Sequence, residues 1–495
     1  MMNAERSPSW HDDFDIRYRS RDISKLTDTQ PVSMIEPRID AKHAQIFVDN
    51  HIIHDYQRVH RTIHRPKIFG PVLKPERPWE GNCIVLYGSV VRTEGKMMMW
   101  YQTFNKVDSP GERAYICYAE SDDGINWVKP ELGNVSFRGS ESNNIALRPM
   151  EAGLDSPSVI LDERGPPDER FKLLVYGRTT DGQSGLFSSI SGDGKRWTDP
   201  CLAASELGDR TNLMYDDRTK RPYVAFTRAP SMMRDHHRRV IYRSNSADFR
   251  DWSEPELVLK PDLADSHDLQ FYGMSAFRYG QVYIGFLQCL HTAKDLMDVQ
   301  LVSSRDGMHW ERTEPRDVFI SPARSEDWDT TWISFSSSPP IRMGDRLWLY
   351  YEDRNASHAQ QYPLPRGCIG LATMRLDGFA SIDAGPSLGT LTTREFVWPG
   401  GDLAVNINSK ASSGPTDRAQ LAGRSQVEIL GEDDSPVRGF DRGTCRPFAG
   451  DSVDHRYGWE SGQTLEDLEG EEIRIRFYMV NSELYSFRAV AVDEA

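Results

Sequence analysis

Four turn sequences that end in tryptophan recur along this chain, and they constrain its fold more than any other feature. Successive tryptophans lie 70, 55 and 58 residues apart, with runs typical of β-strands between them. A repeat of this length indicates one β unit used several times, and a β-propeller packs such units against one another around a central channel. The turns are Ser121-Asp-Asp-Gly-Ile-Asn-Trp127, Ser191-Gly-Asp-Gly-Lys-Arg-Trp197, Ser246-Ala-Asp-Phe-Arg-Asp-Trp252 and Ser304-Arg-Asp-Gly-Met-His-Trp310.

The runs between the turns predict five blades. They are rich in aromatic and β-branched residues and are bounded by Gly, Pro and Asp, as strands are. Four blades end at the tryptophan turns, and a fifth follows over Trp332–Ser336, Leu347–Tyr351 and Ile369–Leu376. We therefore expect an all-β fold: an N-terminal extension in residues 1–43, a five-bladed β-propeller in 44–385, and a C-terminal β-sandwich in 386–495. Residues 46–48 are expected to close the ring by pairing with the last blade.

The C-terminal sandwich is predicted from alternating runs at 402–407, 426–430, 472–478 and 485–492, separated by turn-rich stretches. A module of this kind binds carbohydrate or buttresses the propeller. Because no cluster of stacking aromatic residues stands out in it, the pattern favours buttressing.

Composition excludes several classes of function. A net charge of −15, without a basic cluster interleaved with aromatic residues, argues against nucleic acid as a partner. No run reaches the 18 or more apolar residues of a membrane span, and the N-terminus has no apolar signal stretch. The six cysteines are scattered without CxxC pairs, so we expect reduced thiols and a cytoplasmic protein. The sequence leaves a homo-oligomer open.

Acidic residues mark the start of every predicted blade. In a propeller the innermost strand of each blade begins near the axis, so residues just before it converge on the central pocket. Steps of 54, 59 and 61 residues separate the acids at 155, 209, 268 and 329, which resembles the spacing of the tryptophans. Neighbouring carboxyl groups raise each other's pKa values and form the acid and base pair that cleavage of a glycosidic bond needs. The candidates are Glu80, Asp155, Asp209, Asp268 and the cluster Glu326, Asp327 and Asp329.

Other polar and aromatic residues fall near the same positions and are candidates for binding sugar hydroxyls or stacking on a sugar ring. The chain contains no phosphate-binding loop, dinucleotide fingerprint, nucleophile elbow or HExxH motif, and its histidines lack metal-ligand spacing. We therefore expect neither a metal nor a cofactor. The substrate-binding candidates are Arg210, Asn212, His267, Gln270, Tyr272, Glu326, Asp329, Trp332 and His358.

Several of these motifs resemble those of the five-bladed propeller glycosidases, namely the fructosidase-like glycoside hydrolase family 32 and the arabinosidase-like family 43. The similarity covers roughly residues 45–495, and its motifs specify architecture better than substrate. It rests on Asp155-Ser-Pro-Ser-Val159, Trp100-Tyr-Gln102, the first tryptophan turn, Gly370-Leu-Ala-Thr-Met-Arg-Leu-Asp-Gly-Phe379 and Leu388-Gly-Thr-Leu-Thr-Thr393.

In those families three acids from blades one to three act as nucleophile or base, transition-state stabiliser and general acid. The resemblance implies that Asp155 is the stabiliser. The blade-three acid would be Asp209, where the families have Glu, and the blade-one acid would be either Asp49 or Glu80. The Asn-Asp-Pro-Asn signature of family 32 is absent, which argues against fructan hydrolysis.

The sequence thus predicts a glycoside hydrolase that cleaves a short oligosaccharide or a furanoside, such as an arabinoside or fructoside, with paired carboxylates in the central pocket. Alternatives are a glycoside phosphorylase or transglycosylase, and a non-catalytic carbohydrate-binding propeller. The turns also resemble the Asp boxes of sialidases, but that class needs six blades and three arginines.

Overall fold

The computed structural model describes residues 38–103, 114–147, 150, 153–179, 181–205, 207–233, 236–322, 330–355, 366–410 and 423–491. Apart from two short 3-10 turns at Pro167–Glu169 and Leu465–Leu468, the regular structure in these ranges is β-strand. None of the helical segments in them is long and apolar enough to cross a membrane. The all-β prediction is confirmed.

Four strands precede the first blade: β1 (Gln45–Ile46), β2 (Ile53–Gln57), β3 (Val59–Ile63) and β4 (Lys67–Leu73). Blade one contains β5 (Ile84–Thr93), β6 (Lys96–Thr103), β7 (Ile116–Ser121) and β8 (Ile145–Leu147). Blade two contains β9 (Leu154–Leu161), β10 (Phe171–Arg178), β11 (Ser184–Ser191) and β12 (Cys201–Ser205). Blade three contains β13 (Asn212–Tyr215), β14 (Tyr223–Met233), β15 (His236–Ser246) and β16 (Glu256–Leu259).

Blade four contains β17 (Leu269–Tyr279), β18 (Val282–His291) and β19 (Leu296–Ser304), with the short outer strands β20 (Glu311–Arg312) and β21 (Val318–Ile320). Blade five contains β22 (Trp332–Phe335), β23 (Ile341–Met343), β24 (Arg346–Arg354) and β25 (Gly367–Arg375). Its outermost strand is β4, which comes from before blade one and pairs antiparallel with β25. The first and last parts of the propeller are therefore joined by β4.

Hydrogen bonds link each innermost strand to the next and return from the fifth blade to the first. In each case a small polar side chain of one strand bonds to the backbone of its neighbour, which satisfies groups that no ladder pairs. The backbone N–H of Val159 donates to Ser89 (2.8 Å), Leu213 to Ser158 (2.8 Å), Ala276 to Asn212 (3.0 Å) and Val90 to Ser338 (2.9 Å), while the Ser275 hydroxyl donates to the Phe335 carbonyl (3.3 Å).

The tryptophan turns have the structural role that their sequence predicts. In the turn of blade two, one oxygen of Asp193 accepts from the N–H groups of Lys195 and Arg196 (2.8 Å each), and Gly194 has a φ of 72°. The corresponding aspartates of the other three turns accept two N–H groups in the same way. The aspartate of each turn is thus hydrogen-bonded to residues of its own turn.

The C-terminal strands are β26 (Ala380–Ala384), β27 (Gly389–Thr393), β28 (Phe396–Val397), β29 (Asp402–Asn408), β30 (Arg424–Leu430), β31 (Asp451–Arg456), β32 (Glu472–Val480) and β33 (Ser482–Val490). They form two sheets around one apolar core, to which Val405, Leu484, Ile429 and Phe477 contribute from both sides. This is the predicted sandwich.

The N-terminal strands belong to these C-terminal sheets. β1 pairs with β33, β2 with β27 and β3 with β26. The expectation that residues 46–48 close the propeller is therefore wrong, and β4 takes that place. The pairing also puts residues 45–63 and 380–384 in the sandwich, although the sequence assigned both to the propeller. A short apolar strand carries no signal for which distant edge it will join.

Candidate active site

Two of the predicted acids occupy equivalent positions on neighbouring innermost strands. Asp155 and Asp209 each lie three residues before the polar side chain that bonds to the next blade, Ser158 and Asn212. The residue after each acid is left-handed, with φ of 54° at Ser156 and 57° at Arg210. Such conformations are rare outside glycine and cost free energy, so their recurrence marks a shared local structure.

Two tyrosines enter the same central region from blades one and four through β-bulges. The pairing of β5 with β6 is interrupted between Val85 and Ser89, and that of β17 with β18 between Phe271 and Gly273. The inserted residues include Tyr87 and Tyr272, which are 4% and 5% exposed. A bulge bends its strand and re-aims a side chain, and bulges are frequent next to active sites.

Four arginines surround these two tyrosine rings. The guanidinium carbon of Arg210 lies 3.7 Å from the centre of the Tyr87 ring, and that of Arg228 lies 3.8 Å from the centre of the Tyr272 ring. Arg239 lies 5.7 Å from Tyr272, and Arg354 donates to the Tyr87 hydroxyl at 3.1 Å. These contacts bring guanidinium groups from blades three and five to one place. We call this set of six side chains the arginine–tyrosine centre.

Asp209 is held at this centre by an ion pair. Both of its oxygens accept from Arg228, one of them at 2.8 Å. Burial alone would raise the pKa of Asp209, but the charge and hydrogen bonds of Arg228 outweigh it and hold the pKa below its usual range. A carboxylate that stays ionised in this way suits the role of an anchor, base or nucleophile. The resemblance implied a general acid here, and the ion pair does not suit that role.

Blade five supplies two carboxyl groups with the opposite property. Glu352 is fully buried and accepts from the Ser334 hydroxyl (2.8 Å) and from the backbone N–H of Leu86 (3.0 Å). Burial raises the pKa of Glu352, and it raises the pKa of the neighbouring Asp353 to about 7. A carboxyl group that keeps its proton near neutral pH is able to protonate a leaving group.

Glu352 is connected to the arginine–tyrosine centre through one hydroxyl. Ser334 donates to Glu352 and accepts from Arg210 at 3.4 Å, while the Arg210 Nε donates to Gln288 at 3.0 Å. Arg210 thus reaches from blade three to blades four and five. Within β24, Glu352 and Arg354 are two residues apart and lie on the same face of the strand, because side chains alternate.

Asp155 lies at the start of β9 and is half-buried. The Ser156 hydroxyl donates to one of its oxygens at 3.0 Å, and the Ser156 N–H donates to Gln102 at 2.9 Å. The left-handed Ser156 and the following Pro157 fix the backbone at this point. Asp155 thus lies partly exposed at the start of an innermost strand.

Three predicted catalytic acids have structural partners instead. Glu80 is fully buried and accepts from the Tyr101 hydroxyl (2.5 Å), Lys129 (2.8 Å) and two backbone N–H groups of the preceding turn. Asp49 forms a two-pronged ion pair, 2.8 Å for each bond, with Arg305 in the outer turn of blade four. The structure places Glu80 within blade one and Asp49 at the outer side of blade four, so neither has the central position that was predicted.

Asp268 lies seven residues before the linking residue Ser275, so it does not share the position of Asp155 and Asp209. It accepts from Ala293 at 3.2 Å, in the turn between β18 and β19. The spacing between acids along the sequence therefore does not by itself give equivalent positions on the blades.

The predicted binding residues divide in the same way. Arg210 and Tyr272 belong to the arginine–tyrosine centre, and Gln270 accepts a hydrogen bond from Arg239 beside it. The side-chain amide of Asn212 donates to the Ser337 carbonyl and accepts from the Ala276 N–H, so it links blades. His267 is exposed. Trp332 is fully buried, with its ring 4.7 Å from that of Tyr272, and so packs beneath the centre instead of offering a stacking surface. Glu326, Asp329 and His358 lie outside the described residues.

The sequence reasoning missed Tyr87, Arg228, Glu352 and Arg354. The sequence does contain a signal for Tyr87. The dipeptide Tyr87-Gly88 recurs as Tyr272-Gly273 on another innermost strand, and a glycine next to a bulge lets another segment of backbone approach closely. A Cβ on Gly88 would lie 1.8 Å from the Trp100 carbonyl oxygen. In the part of the chain that the structure describes, no group of three or more His, Cys, Asp or Glu residues is placed to hold a metal ion.

No family model and no curated protein matches this chain. Among solved structures, it is similar to a protein described only as a glycoside hydrolase (14% identity, 63% of this chain and 93% of that chain, TM-score 0.48). It is also similar to a member of the GH130 family of mannoside phosphorylases, which contains glycoside hydrolases that target β-1,2-mannosidic linkages in Candida mannan (13%, 63% and 94%, TM-score 0.44). A third is the catalytic domain of a GH62 α-L-arabinofuranosidase from Coprinopsis cinerea (14%, 63% and 97%, TM-score 0.42).

The descriptions of these neighbours all name glycoside hydrolases or glycoside hydrolase families. At 13–14% identity and TM-scores below 0.5, the similarity carries no information on activity or substrate. The function has to be argued from the chemistry of the site, since one fold hosts many reactions.

Proposed function

We propose that this chain is a glycoside hydrolase that cleaves a short oligosaccharide or a furanoside at the centre of the propeller. The observation that carries the proposal is the presence of two kinds of carboxyl group, one on an innermost strand and one on the second strand of blade five, in contact with the arginine–tyrosine centre. Asp155 is half-buried on blade two, whereas Glu352 is buried on blade five and has a raised pKa. Hydrolysis of a glycosidic bond uses one carboxyl group as proton donor and one as base or nucleophile.

Glu352 is the proposed proton donor. It lies on the same strand face as Arg354 and bonds to Ser334, which in turn accepts from Arg210, so it is part of the polar network of the site. Asp353 is the second candidate for this role, since burial raises its pKa to about 7. Asp155 is the proposed base, nucleophile or stabiliser of the positive charge that develops at the anomeric carbon.

Asp209 has a different role in this scheme. Its ion pair with Arg228 holds that guanidinium group beside Tyr272. It therefore orients the arginine–tyrosine centre and does not itself transfer a proton to the leaving group.

We also propose that the protein works in the cytoplasm on small imported substrates. The support is that all six cysteines are free thiols and that Cys83, Cys117, Cys289 and Cys445 are buried. Unpaired thiols are typical of proteins in a reducing compartment.

A hydrolysis screen tests the main proposal. Purified full-length protein would be incubated with aryl furanosides and pyranosides, both neutral and acidic, and with short arabinans and fructans, with and without phosphate. Release of a sugar without phosphate supports the hydrolase. Cleavage only with phosphate would make the protein a phosphorylase, and sugar binding without any cleavage would make it a carbohydrate-binding propeller.

A further inference from the structure

The arginine–tyrosine centre brings four guanidinium groups together, those of Arg210, Arg228, Arg239 and Arg354. Arg228 is paired with Asp209, and Arg210 contacts Glu352 through Ser334. This cluster of basic groups lies in a protein whose net charge is −15. Clustered basic groups are a feature of sites that attract anions.

Two of the guanidinium groups have a buried nitrogen that makes no hydrogen bond to the described residues. Within the residues that the structure describes, Nη1 of Arg210 and Nη1 of Arg228 are buried and have no hydrogen-bond acceptor. Arg210 is 5% exposed, so this donor cannot be satisfied by bulk water. A buried donor without a partner destabilises the site, and a ligand with matching acceptors would remove that cost.

The surrounding residues hold these arginines in place before any ligand binds. Arg210 is fixed by Gln288 and by the face of Tyr87, and Arg228 by Asp209 and the face of Tyr272. Gly273 makes room for Arg210, because a Cβ there would lie 3.1 Å from the Arg210 Cβ. Arg228 and Asp209 keep 11% and 15% of their side-chain surface exposed, which gives the site an opening.

We propose that this centre binds an oxyanion through Arg210 and Arg228, either the carboxylate of an acidic sugar at the cleaved end of the substrate or inorganic phosphate. The inference rests on the proposed hydrolase function, for which the acidic sugar is the expected source. Guanidinium groups match the oxygen spacing of both anions and bind them through paired charge-assisted hydrogen bonds. A neutral sugar would offer these donors only uncharged hydroxyl oxygens, which form weaker hydrogen bonds than the oxygens of an anion.

Calorimetric titration of the full-length protein with galacturonate, glucuronate, inorganic phosphate, galactose and glucose tests this inference. We expect one of the anions to bind about tenfold or more tightly than the neutral sugars. Arg210→Gln should weaken that binding by a similar factor. Arg164→Gln is the matched control, because Arg164 also covers a tyrosine ring (Tyr215, 3.2 Å) but is half exposed at an outer turn of blade two, and it should bind as the wild type does.

Gly273→Ala provides a second variant if Arg210→Gln does not fold. Its added methyl group would lie 2.7 Å from the Gln288 oxygen and would press on Arg210, so anion binding should fall while both charges remain. Equal affinity for galactose and galacturonate, or anion binding unchanged in both variants, would overturn the inference.

The two proposals fail in different ways. If the protein hydrolyses neutral aryl glycosides and neither uronates nor phosphate bind to it, the oxyanion site is wrong and the hydrolase stands. If an anion binds through Arg210 while no glycoside is cleaved with or without phosphate, the oxyanion site stands and the hydrolase is wrong. Preference for uronides in the absence of phosphate identifies the sugar carboxylate as the source, whereas a strict requirement for phosphate identifies the free anion.

Discussion

The outer tryptophan turns and the propeller centre both depend on acidic residues, but these residues obtain their partners in opposite ways. Asp193 in an outer turn binds groups two and three residues away, and its pKa is lowered. Glu352 at the centre accepts from Leu86, 266 residues away, and its pKa is raised. The carboxylate of Asp193 stabilises a turn, whereas burial at the centre favours the protonated form of Glu352.

The difference teaches that acid content alone does not identify a catalytic residue. When the partners of an aspartate are nearby backbone N–H groups, hydrogen bonds within its own turn stabilise its negative charge. A carboxyl group whose partners come from other blades has an environment that only the assembled propeller creates. Substitutions at the outer turns and at the centre should therefore have different effects on stability and turnover.

The largest effect is expected for Glu352→Gln. The substitution keeps the shape and the acceptor for Ser334 but removes the proton, so turnover should fall by about 10²–10⁴-fold, the usual contribution of a general acid. Glu120→Gln is the control, because Glu120 binds Lys96 and Lys195 at the surface of blade one. Steady-state rates on the best substrate from the screen measure both. Unchanged turnover in Glu352→Gln would move the acid role to Asp353.

Trp310→Ala should have the largest effect on stability. The Trp310 ring is 7% exposed and packs at 5.5 Å from Phe226, between blades three and four. Removing it leaves a cavity, which costs about 3–5 kcal/mol of unfolding free energy. Urea unfolding measures the loss. A change below about 1 kcal/mol would show that the tryptophan turns do not hold the blades together.

Asp353→Asn should change how stability depends on pH. The pKa of Asp353 is raised to about 7, while an unfolded chain has the ordinary value of 3.8. Between these values the unfolded chain releases the proton and the folded protein keeps it, so wild-type stability falls as pH rises from about 4 to about 7. Asparagine removes this cost, and the variant should be more stable by about 2–4 kcal/mol at pH 8 and equal at pH 4. Equal stability at pH 8 would contradict the raised pKa.

Asp193→Ala should have the smallest effect. It removes the acceptor of two backbone N–H groups and the Ser191 hydroxyl in an outer turn, where water replaces part of what is lost. We expect a loss of about 1–2 kcal/mol in unfolding free energy with turnover unchanged. A fall in turnover of tenfold or more would show that the outer turns and the centre are coupled.

The sequence predicted those parts of the fold that depend on near neighbours. The tryptophan turns were predicted correctly because the hydrogen bonds of their aspartates to backbone N–H groups lie within three residues, and the strands because their apolar patterns are local. The partner of residues 46–48 was predicted wrongly, because the strand Gln45–Ile46 pairs with Ser482–Val490, more than 430 residues away. Nothing in a short apolar run specifies such a pairing.

The site could be predicted only in part for the same reason. Asp155, Arg210 and Tyr272 were selected from the sequence because they lie at or just before innermost strands, whose order follows from the repeat. Arg228 and Glu352 lie on second strands, and they reach the centre through the alternation of side chains and through bonds to other blades. Glu80 was selected for its position in the sequence, but the buried Lys129 that neutralises it lies 49 residues later.

The most direct test of the account compares turnover in Asp155→Asn with turnover in Asp193→Asn on one substrate. Both variants remove a single negative charge from an aspartate of blade two, one at the innermost strand and one at the outer turn. We expect turnover to fall by at least about 10²-fold in Asp155→Asn, with an unchanged melting temperature. In Asp193→Asn, turnover should fall by less than about twofold. Equal turnover in the two variants would show that the reaction does not take place at the propeller centre.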